Sequence, residues 1–128
     1  MPQPIGFTQH PAELLRVGSG FSLAEQSTDA TPGFSGKKAD GAATLAARAP
    51  VISQLQEQLF AESRFGGSKS VLLILQAMDT AGKGGIVGHV VGSVDPQGVK
   101  LTTFKAPTDE EKAHDFLWRV RPGAPGPG

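Results

Sequence analysis

The stretch QAMDTAGKGG, residues 76–85, sets a lysine among glycines directly after the apolar run SVLLIL. A cluster of this kind, where a strand turns into a helix, is the setting of a phosphate loop. There, backbone N–H groups wrap the phosphates, a lysine reaches the terminal ones, and a Ser or Thr hydroxyl binds Mg²⁺. Laid on the pattern G-x-x-x-x-G-K-[ST], the residues are Ala77, Met78, Asp79, Thr80, Ala81, Gly82, Lys83 and Gly84. Gly82 and Lys83 match. Ala77 replaces the first glycine, which requires that its backbone avoid a positive φ, and Gly84 replaces the hydroxyl residue. The usual magnesium ligand is therefore missing, and Asp79, a hard oxygen donor inside the loop, can hold Mg²⁺ directly or through water. The competing reading is a glycine-rich turn present for packing alone.

The elements around the loop decide whether it is placed to bind. Residues 71–75 are continuously apolar between Gly66-Gly67 and the glycine cluster, which predicts a strand buried on both faces of a parallel sheet. Upstream, Ile52, Leu55 and Leu59 recur at helical spacing, with Pro50 suited to a first turn and an end near RFGG. Downstream, IVGHVVGSV is weakly helical, DPQG makes a turn with Asp95 as turn former, and VKLTTF alternates as a second strand. Thr108 and Glu111 form an S/T-x-x-E capping box that opens a helix through EEKAHDFLWRV. Strand, glycine loop, helix, strand, helix is the opening of a P-loop type α/β fold. Residues 1–44 are Gly/Pro-punctuated and read as an extended or partly disordered N-terminal segment. Residues 45–121 then form the first half of the domain, and residues 122–128, PGAPGPG, are a tail that cannot continue a helix.

The totals leave room for one modest domain of 128 residues. Twelve basic and twelve acidic residues give zero formal net charge, so no global field draws nucleic acid or an anionic membrane, and any anion site is local. With no cysteine there is no disulfide, thiolate metal site or thiol nucleophile. No stretch approaches the roughly 18 apolar residues of a membrane span, and MPQPIGFTQH has no signal-peptide pattern, so the chain reads as cytoplasmic.

VLLILQAMDTAGKGG, DPQGVKLTTFKAPT and EEKAHDFLWRV, in this order and spacing, resemble the second family of polyphosphate kinases, which move phosphate between inorganic polyphosphate and nucleotides. The resemblance continues upstream through LQEQLFAE to TPGFSGKKADG and covers roughly residues 14–121. It implies a P-loop kinase-like three-layer α/β/α fold with a parallel sheet. The family's loop carries Asp within it and Gly after the Lys, so Gly84 agrees with the family, and Ala77 stands where many members have glycine. By resemblance Asp79 becomes the carboxylate that orients magnesium or phosphate. Lys83 becomes the cation that neutralises the transferred group, and Ala81, Gly82, Gly84 and Gly85 become phosphate-binding backbone positions. Such transfer needs positioning and positive charge rather than covalent help.

Two further cations are candidates. Lys105, in FKAPT, lies at the carboxyl end of the second predicted strand, where such sheets bind ligands; it is a polyphosphate or nucleotide contact or simply an exposed lysine. Arg119 resembles an arginine found in the family, and its guanidinium suits bidentate phosphate binding, which makes it a catalytic candidate; its alternative is a helical salt bridge to Asp115. His89 and His114 have no second ligand at metal spacing. Family members run further, into a second acidic motif and a lid, so the chain reads as truncated, marginally folded and of little activity alone. The implied partners are inorganic polyphosphate, a nucleoside mono- or diphosphate and Mg²⁺, with homo-oligomers common among relatives. The alternatives are a non-catalytic polyphosphate- or nucleotide-binding fragment and a small ATP-dependent P-loop kinase.

Overall fold

Regular structure among the described residues is helical. The computed structural model describes residues 6–127 and contains α1 (Pro11–Leu14), α2 (Lys38–Arg64), α3 (Lys83–His89) and α4 (Asp109–Lys112). Short 3-10 turns lie at Leu23–Glu25, Val91–Ser93, Pro96–Gly98 and Arg121–Gly123. The backbone divides into two units, Met1–Arg48 and Ala49–Gly128.

In the first unit, residues expected to be extended close on themselves. Phe7 and Phe34 form an antiparallel bridge. The Thr8 N–H donates to the Gly33 carbonyl at 2.7 Å, the Ser35 N–H donates to the Gly6 carbonyl at 3.2 Å, and the two rings meet edge to face at 5.3 Å. Gly33 suits this turn: its φ of +67° is one that L side chains rarely adopt, and an added Cβ would also displace the end of the Leu14 side chain.

α2 begins at Lys38, well before the Pro50 start that periodicity predicts. The segment KADGAATLAARA is rich in alanine, the strongest helix former, and the Asp40 carboxylate accepts the Lys37 N–H at 2.7 Å at the entrance. Alanine carries no apolar stripe, so periodicity alone does not mark it. Pro50 consequently lies inside the helix, where it donates nothing to the preceding turn; the boundary between the two units falls beside it. The end matches expectation: Gly66 has φ +88° and the Gly67 N–H returns to the Glu62 carbonyl at 2.9 Å, a glycine C-terminus.

The expected parallel sheet is not formed by the described residues. Among the described residues there is no strand, and residues 71–75 and 99–104 run without a ladder. Val71, Leu72, Leu73 and Ile74 are 77, 54, 54 and 73% exposed rather than buried on both faces, and no described hydrophobic side chain is fully buried. An apolar run supplies the tendency, but a strand exists only with a hydrogen-bonded neighbour, and a parallel neighbour is always distant in sequence.

What does order the second unit is a set of polar ties. Gln56 of α2 brackets Asp95: its Nε2 donates to the Asp95 carbonyl and its Oε1 accepts the Asp95 N–H, both at 3.2 Å. Gly98 then approaches Gln56 and Phe60 too closely for any Cβ. Asp95 acts as the turn former, accepting the Gln97 N–H at 2.8 Å.

α4 opens with the predicted capping box, Thr108 N–H to Glu111 Oε2 at 2.7 Å and Glu111 N–H to Thr108 Oγ1 at 3.2 Å. It stops at Lys112 instead of running on to Val120. The Asp115 carboxylate accepts the Leu117 N–H at 2.9 Å and its carbonyl accepts the Trp118 N–H at 2.9 Å. This local turn competes with the helix ladder.

Candidate functional site

Two left-handed residues redirect the chain from residues 71–78 into α3: Thr80 at φ +64° and Gly82 at φ +88°. For a β-branched residue such a φ costs about 1–2 kcal/mol. Thr80 Oγ1 donates to the Asp79 carbonyl at 2.6 Å. Ala77 has no positive φ, so its replacement of the usual glycine carries no strain.

Lys83 opens α3 and reaches back into the loop, where its Nζ donates to the Met78 carbonyl at 2.7 Å and also to the Ala77 carbonyl. The lysine is thus folded back on two carbonyls of the loop it follows. The Asp79 side chain is exposed. Asp79 is the lone carboxylate of the loop, and no group of three metal-ligating side chains exists among the described residues. That donor set suits Mg²⁺, which keeps several waters and completes its shell with substrate phosphates.

The glycines separate into two kinds. Gly82 is explained by its φ. Gly84 and Gly85 have ordinary φ values, and a Cβ on either would meet nothing within 4 Å. Neither backbone conformation nor packing within the chain calls for glycine there, although each costs the helix about 0.5–1 kcal/mol relative to alanine. Gly88, one turn further along the same helix, is alike in both respects. Ala81, expected among the phosphate donors, already gives its N–H to the Met78 carbonyl at 3.3 Å.

Lys105 and Arg119 form a second group. Arg119 Nη2 donates to the Lys105 carbonyl at 2.8 Å, Nη1 pairs with Glu111 Oε2 at 3.5 Å, and the guanidinium lies 4.9 Å from the Phe104 ring centre. The expected partner Asp115 instead pairs with Arg121 at 3.6 Å, because α4 ends before the four-residue spacing can bring Arg119 and Asp115 together. Glu111 is a residue that sequence reasoning placed only as a cap. The capping box located it, but no helical spacing links it to Arg119.

A family model described as polyphosphate kinase 2 matches residues 35–128. The chain belongs to the polyphosphate kinase 2 family. The matched span of this polyphosphate kinase 2 chain contains Asp79, Lys83, Lys105, Glu111 and Arg119. It is 65% identical to a polyphosphate kinase 2 crystal structure from Arthrobacter aurescens, with a TM-score of 0.83 over 94% of this chain and 43% of that one. It is 40% identical to the AMP/ADP-polyphosphate phosphotransferase of Meiothermus ruber, covering 84% of this chain and 39% of the relative. To the ADP-polyphosphate phosphotransferase of Rhodopseudomonas palustris it is 38% identical, covering 89% and 38%. The chain therefore spans about two-fifths of the length of the relatives it matches. Within the polyphosphate kinase 2 chain no described helix is long and apolar enough to cross a membrane.

Proposed function

We propose that this chain carries the phosphate-holding part of a polyphosphate-dependent nucleotide phosphotransferase. One observation carries the reading: the Lys83 ammonium lies inside a loop whose Gly84 and Gly85 leave their Cβ space open. In the reaction an oxygen of a nucleoside mono- or diphosphate attacks the terminal phosphorus of polyphosphate as the bond to the bridging oxygen breaks, leaving a chain one phosphate shorter. Lys83 moves from the loop carbonyls to the transferred group and offsets its charge. The amides of residues 82, 84 and 85, with the backbone at Ala81, line the phosphates. Asp79 would hold Mg²⁺, which would supply charge neutralisation for the phosphates. Lys105 adds a cation at the phosphate chain, and Arg119 belongs with it through the contact to its carbonyl.

This reading places residues 45–121 in the first half of a three-layer α/β/α domain, with residues 71–75 and 99–104 as strands once neighbours pair with them. It makes the protein a cytoplasmic one that binds neither nucleic acid nor membrane, with homo-oligomers a property of the full-length form. The exposure of residues 71–74 favours a second reading, anion binding without turnover.

The test is transfer from long-chain polyphosphate to AMP and ADP with Mg²⁺, for the chain and for Lys83→Ala, with a chelator as control. Metal-dependent product that disappears in Lys83→Ala supports the enzyme. Lys83-dependent polyphosphate binding without product supports the second reading, and equal binding by both proteins refutes the site.

A further inference from the structure

Resting on the proposed polyphosphate site, we infer that Arg119 is a positioning residue that acts through Lys105, and that Glu111 and Phe104 hold it to that task. The guanidinium is occupied on three sides: Nη1 by Glu111 at 3.5 Å, Nη2 by the Lys105 carbonyl at 2.8 Å, and one face by the Phe104 ring at 4.9 Å. Its pair with Glu111 is the most enclosed ion pair among the described residues, at 16 and 23% side-chain exposure, where the partners of the other three are 53% exposed or more. Glu111 Oε2 is fixed in turn by the Thr108 N–H at 2.7 Å. The cap of α4, the arginine and the backbone of Lys105 are therefore one chain of contacts.

The Lys105 side chain differs in kind. It is exposed, so its ammonium is the one of the two cations free to meet an anion. A planar fork bonding an acid and a carbonyl at once is a task lysine cannot take over, since an ammonium is a point charge on a flexible stem. Clamping the Lys105 carbonyl fixes where that side chain leaves the backbone.

The test is a double-mutant cycle on polyphosphate affinity across a salt series, with Lys83→Ala as control for the site itself. For a flexible polyanion each lost cation contact lowers the slope of log affinity against log salt by about 0.7, the value for single-stranded nucleic acid. Lys105→Ala is expected to lower it by that amount. Arg119→Lys keeps the charge but loses the fork, and is expected to weaken binding as much as Lys105→Ala does. In the Lys105→Ala background it is expected to add nothing. Phe104→Leu, which removes the ring but keeps apolar bulk, is expected to follow the same pattern and covers the case in which the arginine variant unfolds.

An Arg119→Lys protein with wild-type affinity overturns the inference. So does a further slope loss of about 0.7 for Arg119→Gln on top of Lys105→Ala, which would make Arg119 a direct phosphate contact. Those results leave the site standing if Lys83→Ala still abolishes binding. A wild-type chain that does not bind polyphosphate at all overturns the site and this inference together.

Discussion

Gly84→Ala and Gly85→Ala should make the protein more stable and worse at its task. Both positions lie in α3 with no neighbour within 4 Å of an added methyl and no positive φ, so alanine fits without strain. The helix gains about 0.5–1 kcal/mol per substitution, which corresponds to roughly two- to fivefold greater amide-exchange protection across α3. On the ligand side, a methyl at either position keeps a phosphate oxygen from the backbone amide. The loss of one hydrogen bond to a charged group is about 1.5–3 kcal/mol, roughly a ten- to hundredfold weaker affinity for polyphosphate. Gly88 provides the internal control: it lies in the same helix, also in open space, but a turn further from the loop. Gly88→Ala should raise protection and leave binding unchanged. Hydrogen exchange and titration calorimetry on the three variants measure both quantities. If Gly84→Ala and Gly85→Ala bind polyphosphate like the wild type, the glycines are not there for a phosphate and the reading of the loop is wrong.

Other expectations concern strain and capping. Thr80→Gly should relieve the left-handed strain at φ +64° and stabilise the folded loop by about 1 kcal/mol, less the extra freedom glycine gives the unfolded chain; denaturant titration reads the net change, and a clear loss would show that the threonine side chain matters more than its backbone. Glu111→Gln retains a capping-box side chain and should cost no more than about 1 kcal/mol, the worth of a partly exposed ion pair. Glu111→Ala should cost about 1 kcal/mol more, because the Thr108 N–H loses its acceptor as well, while the Glu111 N–H keeps Thr108 Oγ1; equal losses for the two would place the whole contribution in the charge.

Local signals proved legible in the sequence and non-local ones did not. The capping box at Thr108 and Glu111, the turn at Asp95 and the glycine end of α2 at Gly66 each depend on a few adjacent residues, and each is present as expected. Ala77 likewise avoids a positive φ, as its place in the loop requires. Four features escaped. The start of α2 lies in an alanine-rich segment with no apolar stripe to read. The end of α4 is set by an Asp115 turn that outcompetes a good helical pattern, and once the helix stops, the predicted partner of Arg119 changes. The strands at residues 71–75 and 99–104 were inferred from side chains alone, while a strand is made by the partner across the ladder. The bracket that Gln56 forms around Asp95 joins residues far apart in sequence and leaves no periodic trace.

The exposed run at residues 71–74 also bears on handling the protein. SVLLIL is a six-residue window of apolar and β-favouring side chains with no proline and no charge, the composition of a self-templating segment. Its unmatched N–H and C=O groups offer a second molecule the same ladder that the chain itself leaves open. Lys69, 78% exposed at its side chain and two residues upstream, is the nearest like-charge guard against that stacking. Colloidal lifetime in solution should therefore fall with protein concentration and with rising ionic strength, which screens the guard while leaving the apolar attraction intact.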